Sequence, residues 1–223
     1  FNEMRESENQ SWAICQDENQ VMLFANRKGI LTFDGQDWEQ APITVIPWSM
    51  RKNPVDSKIY IGGENNFGYI DRDPEGRYKY ISLSGDSLIT GSITKIIFSD
   101  SILWFYSDQV ISRYSLKTKA TDLVINAKQA YPFTGMFVTP RNTFINVFRK
   151  GLYRLESDTL FPIVTGYMTE NVEILFALPY SNTQVLTGLS NGRLSLFDGI
   201  IYSDYPVKDE GYLRDNILSE GIV

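Results

Sequence analysis

The chain has 223 residues, one cysteine, no histidine, and 27 acidic against 21 basic side chains, for a formal net charge of −6. The lack of imidazole removes the commonest general base, phosphoacceptor and pH switch and a frequent metal ligand, and the negative charge opposes binding to nucleic acid or to anionic lipid. Neutral or cationic partners are easier to accommodate; no apolar run reaches the roughly 18 residues of a membrane-spanning helix.

In chain order, residues 1–8 lack the charged-then-apolar arrangement of a signal peptide. Short apolar runs at 11–15, 21–25 and 30–33, with an outer run near Trp38, then read as four β-strands cut by turn residues. Cys15, alone and inside the run Trp12-Ala13-Ile14, reads as a small buried side chain. Similar units follow around Ile59-Tyr60-Ile61-Gly62-Gly63, Leu103-Trp104-Phe105-Tyr106, Thr143-Phe144-Ile145-Asn146-Val147 and Val185-Leu186-Thr187-Gly188. Each is an apolar run, a small polar loop, then a second apolar run opened by Gly or, once, by Gln109.

Residues 29, 68, 109, 151 and 192 mark that loop in the five copies and lie 39, 41, 42 and 41 apart. Independently, Phe33-Asp34-Gly35 and Phe197-Asp198-Gly199 lie 164 residues apart, four units of 41. A period near 40 built from four short strands predicts an all-β fold, a β-propeller of four-stranded blades. The blades are expected at 11–46, 47–90, 91–130, 131–170 and 171–207, with a sixth begun at 208–223, as part of a larger propeller. Glycine after the second strand is expected to supply positive φ, and Asp-Gly after the third a two-residue turn.

The run from Ser11 to Gly35 resembles the repeat of the two-component regulator propeller family, as does Ile59-Tyr60-Ile61-Gly62-Gly63-Glu64-Asn65-Asn66-Phe67-Gly68, in the branch where a triple-tyrosine domain follows the propellers. The third to fifth units depart from the pattern, Gln109 replacing Gly. The resemblance implies a periplasmic sensor region of a bacterial inner-membrane receptor, with the remaining receptor domains, a membrane helix and a kinase or helix-turn-helix output in segments outside this chain. It further implies a homodimer and a carbohydrate ligand, and gives Asp17, at the first turn of its blade, a structural role.

In a propeller the loops between second and third strands share one face with the blade-to-blade loops. Those loops carry Asn26, Arg27 and Lys28; Glu64, Asn65 and Asn66; Asp108 and Gln109; Arg149 and Lys150; and Ser190 and Asn191. This ring of amides and charges is the candidate site for an oligosaccharide or another small ligand, with Trp12, Trp48, Trp104 or Tyr180 for stacking. Trp12 and Trp104 lie in strand-like runs and are expected in the core. No phosphate loop, dinucleotide motif, metal-ligand motif or nucleophile elbow is present, so no catalytic residue, cofactor or metal is expected. A polysaccharide-active propeller hydrolase or lyase is the alternative: 32–38 is similar to the Asp-box of sialidase propellers, one residue short. A WD-type scaffold ranks last, its Trp-Asp and Gly-His signatures being missing.

Overall fold

The computed structural model describes residues 10–85, 91–139, 141–163, 172–181 and 183–216. They form five separate four-stranded antiparallel sheets, each made of four strands consecutive in the chain. The first holds β1 (Ala13–Gln16), β2 (Met22–Asn26), β3 (Gly29–Phe33) and β4 (Trp38–Gln40), and the second β5 (Pro47–Lys52), β6 (Ile59–Gly63), β7 (Phe67–Arg72) and β8 (Tyr78–Ser82). The third holds β9 (Lys95–Ser99), β10 (Ile102–Tyr106), β11 (Val110–Ser115) and β12 (Ala120–Asn126). In the fourth are β13 (Phe133–Val138), β14 (Thr143–Val147), β15 (Gly151–Glu156) and β16 (Thr159–Pro162), and in the fifth β17 (Ile174–Pro179), β18 (Val185–Leu189), β19 (Leu194–Phe197) and β20 (Tyr202–Asp204). Two compact units contain them, Phe1–Asn126 with three sheets and Ala127–Val223 with two.

Within each unit successive sheets pack face to face, leading strand beside leading strand: β1 lies against β5, β5 against β9, and β13 against β17. The sequence explains the arrangement through burial. Ile59-Tyr60-Ile61-Gly62-Gly63 is buried at every position of β6, because the second sheet has the first packed on one face and the third on the other. The fourth strands Trp38–Gln40, Thr159–Pro162 and Tyr202–Asp204 keep most of their residues exposed. Leu23, Ile30, Val45, Met50, Ile59 and Ile70 form one core between the first two sheets. Phe67, Ile93, Ile96, Leu103, Phe105 and Val110 form another between the second and third, and Phe137, Phe144, Leu152, Ile174, Val185 and Phe197 a further one between the fourth and fifth. Each such side chain contributes about 1.5–3 kcal/mol by leaving water. The cores thus lie between blades: a single sheet offers two apolar faces and hides neither by itself.

The turns follow local chemistry, with two departures from expectation. Asp34 Oδ1 accepts the amides of Gln36 and Asp37 at 2.9 and 2.8 Å, and 164 residues later Asp198 Oδ1 accepts those of Ile200 and Ile201, both at 2.8 Å. The Asp-Gly turn is therefore a four-residue loop closed by the Asp side chain rather than a two-residue hairpin, with Gly35 at φ 105° and Gly199 at φ 101°. After the second strands, Gly29, Gly151 and Gly192 take positive φ as expected. Gly68 does not: it lies inside β7, where an added Cβ would stand 2.1 Å from the Ile81 carbonyl oxygen, and the positive φ of that loop belongs to Asn65. In the third sheet Gln109 needs no such conformation, because Ser107 Oγ accepts the amides of Gln109 and Val110 at 3.1 and 2.8 Å.

On the face opposite the candidate loops, Asp17 ties the first two sheets together. Its Oδ1 accepts the Asn19 and Val21 amides, shaping the turn after β1, while Oδ2 accepts Arg72 at 2.7 Å and the Tyr78 hydroxyl at 2.8 Å from the next sheet. Where the sequence leads one to expect the opening of a sixth blade, residues Glu210–Asp215 form the short helix α1, capped by Asp209 through the Tyr212 amide at 3.0 Å. Ile217 and Leu218, part of that expected lead, lie outside the described residues.

Candidate functional site

The site on the first unit begins with a β-bulge. Pro47 pairs with Gly63 and Ser49 with Gly62, so Trp48 is the extra residue between them. A bulge re-aims a side chain, and the indole of Trp48 lies flat on that of Trp12, ring centroids 4.2 Å apart and planes 9° from parallel. Trp12 is held at the mouth of the first sheet by its amide, which donates to the Ala25 carbonyl at 2.9 Å. Both indoles are half-buried, so Trp12 is a rim residue rather than the core residue expected, whereas Trp104 is in the core at 4% exposure.

Glu64 completes the rim. Its amide donates to Ile46 O at 3.0 Å, and its backbone forms a bridge with Ser92 across to the third sheet. One carboxylate oxygen, Oε2, accepts both Trp48 Nε1–H at 2.7 Å and Ser92 Oγ–H at 2.6 Å. Asn65, beside it, accepts the Gly91 amide at 2.7 Å and donates its own amide to the Gly91 carbonyl at 2.9 Å. Four residues from four stretches of chain, Trp12, Trp48, Glu64 and Ser92, thus meet in one place.

The other amides of these loops serve the loops themselves. Asn26 is 1% exposed, its Oδ1 accepting the Lys28 amide at 2.8 Å. Asn66 Oδ1 accepts three hydroxyls, those of Tyr80, Ser82 and Ser84 at 3.0, 3.0 and 3.1 Å, pinning the loop to β8 and the segment after it. Arg27 and Lys28 are exposed at the tip. In the second unit Arg149, at φ 57°, lies over the Phe148 ring at 5.0 Å, Lys150 over the Tyr131 ring at 4.6 Å, and Asn191 accepts the Arg193 amide at 3.2 Å. A notch of about 70 Å³ lies beside Arg149, walled by Asn146, Gly151 and Glu173. Tyr180 is 51% exposed and meets the Tyr205 ring edge-on at 5.7 Å.

Sequence reasoning named Glu64, Asn65, Trp12 and Trp48 separately and passed over Ser92. The signal for Ser92 was its place in the repeat: blade-to-blade residues just ahead of a leading strand face the preceding loop, as Val172 and Glu173 do in walling the notch beside Arg149. Among the described residues, no group of three or more Asp, Glu, Cys or His side chains is arranged to hold a metal ion.

A molecule of four-stranded antiparallel blades packed face to face through their leading strands is a β-propeller. Solved structures agree on the fold. The chain is similar to the WD40 β-propeller domain of Doa1, with TM-score 0.59 and 13% identity over 86% of this chain and 67% of that one. It is similar to the extracellular domain of the putative one-component system BT4673 from B. thetaiotaomicron, with TM-score 0.56 and 15% identity over 82% of this chain and 26% of that one. It is also similar to PorZ, a bacterial surface component of the type-IX secretion system of Porphyromonas gingivalis, with TM-score 0.64 and 7% identity over 89% of this chain and 28% of that one. The chain thus spans little more than a quarter of the latter two. No protein-family profile and no curated protein matches the sequence.

Proposed function

We propose that the chain is part of the sensor propeller of a bacterial signalling receptor, lying in the periplasm as a region of an inner-membrane protein, and that it binds a carbohydrate without transforming it. The observation that carries this reading is the rim of the first unit, where two half-buried indoles stand beside a fixed carboxylate and a hydroxyl. Flat aromatic surface for the apolar face of a sugar, with oriented polar groups for its hydroxyls, is what a saccharide site requires. The family resemblance of the first two blades and the likeness to an extracellular domain of a one-component system support the setting. Arg27, Lys28 and Asn65 would extend the rim, and Arg149, Lys150 and Asn191 serve the corresponding loops of the second unit. The signal would pass by a change in the geometry of a receptor homodimer to an output domain outside this chain.

The test is titration calorimetry of the chain against a panel of oligosaccharides, with Trp48→Ala as the variant. Binding by at least one saccharide, weakened about tenfold or more by Trp48→Ala, is expected, since loss of an aromatic anchor costs on the order of 2 kcal/mol. Neither heat nor thermal shift with any member of the panel rejects the reading.

A further inference from the structure

Several well-bonded acids of this unit are held by a cation, whereas Glu64, like Asp34 and Asp56, is not. Asp17 is paired with Arg72 at 2.7 Å, Asp71 with Lys58 at 3.8 Å, Asp73 with Arg77 at 2.9 Å and Asp122 with Arg113 at 2.7 Å. Glu64 accepts only neutral donors, the Trp48 indole and the Ser92 hydroxyl, and among the described residues no Lys or Arg forms an ion pair with it. Both bonds fall on Oε2, and among the described residues nothing bonds to Oε1 of this exposed side chain. The group is nevertheless rigid, held through its backbone by Ile46 and Ser92 and through its side chain by Trp48 and Ser92.

Beside this carboxylate stand two indoles stacked on each other, each with its other face turned away from the stack. The face of an indole is electron-rich and attracts cations, most strongly where water is partly excluded. A fixed carboxylate next to aromatic faces is a two-sided receptor for an ammonium group: the charge pairs with Oε1 while the adjoining carbons lie on the ring. Preorganisation means little side-chain freedom is lost on binding, and the overall charge of −6 draws cations toward the chain.

We propose that the rim of Trp12, Trp48 and Glu64 recognises a protonated amine, and that its ligand is an amino sugar with a free ammonium group rather than a neutral or N-acylated saccharide. This inference rests on the reading of the first unit as a saccharide site and names its ligand class.

The variant Glu64→Gln separates charge from structure, because the amide oxygen of glutamine still accepts from Trp48 and Ser92 and keeps the second and third blades joined. Calorimetry at 150 mM salt would compare a glucosamine tetramer, its fully N-acetylated counterpart and a cello-oligosaccharide of equal length. The glucosamine tetramer is expected to bind at least tenfold more tightly than the other two, and Glu64→Gln to abolish that preference with an unchanged melting temperature. If the three bind equally and Glu64→Gln changes nothing, the ammonium inference falls while the saccharide reading stands. If none binds, both fall. If the glucosamine tetramer binds but neither Glu64→Gln nor Trp48→Ala weakens it, the attraction is diffuse charge and the inference is overturned.

Discussion

Asp17 shows how much one side chain carries in this fold. Burial pushes its carboxyl up, but the bonds from Arg72, Tyr78 and the Val21 amide outweigh burial and hold it below the ordinary value of 3.8. The unfolded chain therefore binds the proton more readily than the folded one, so the stabilisation is complete above the ordinary value and is lost as pH falls through the folded one. Asp17→Asn is expected to cost about 2 kcal/mol at pH 7, the scale of hydrogen bonds to a charged group. Melting curves from pH 7 to pH 3 check it: the gap between parent and variant should close below about pH 4, and a constant gap would refute the linkage. The buried amides teach a related lesson. Asn26 and Asn66 looked like ligands because they sit in polar loops, but each spends its oxygen on its own loop or strand. Residue type and loop position were readable from the sequence; the direction of the side chain was not, because it depends on donors such as Tyr80 and Ser84 that lie 14 and 18 residues away.

Among the elements, the second blade shows that a repeated glycine can persist for different reasons. Gly29 and Gly151 meet the backbone demand of a tight loop, whereas Gly68 stands where the neighbouring strand comes too near for any side chain. Gly68→Ala must displace the Ile81 carbonyl and the Tyr80 ring, 2.1 and 2.8 Å from the new carbon, and is expected to destabilise by about 3 kcal/mol in urea denaturation. The third blade has abandoned the glycine because Ser107, fully buried, satisfies two loop amides. Ser107→Ala leaves those amides unpaired and is expected to cost about 2 kcal/mol, measured the same way; a loss under 0.5 kcal/mol would mean the loop closes without the hydroxyl. The bulge that aims Trp48 recurs in the leading strands of the fourth and fifth blades, between Phe133 and Gly135 and between Ile174 and Phe176. It has no mark of its own in the sequence, since a bulge is a mismatch between two strands and neither strand alone records it.

For the whole chain, charge and periodicity are the governing quantities. With six more acids than bases, the protein is expected to leave duplex DNA unshifted in a mobility assay at 100 mM salt, since nothing in its net charge repays displaced counterions; retardation would point to a local basic surface that outweighs the total. The five-blade pattern was legible because the second strand of every blade is mostly buried, and a repeated environment imposes a repeated run of apolar residues. The turns at Asp34 and Asp198 were legible in position, though not in length, because their bonds close within three residues. Other features came only with the tertiary structure: the helix at Glu210–Asp215, the latch of Asp17 on Arg72, and the meeting of Trp12, Trp48, Glu64 and Ser92. The sequence by itself determined the blades, because hydrophobic period and local turn bonding act over a few residues. The rim was decided by packing one blade on the next, which brings together side chains as much as 80 positions apart whose mutual distance no local pattern encodes.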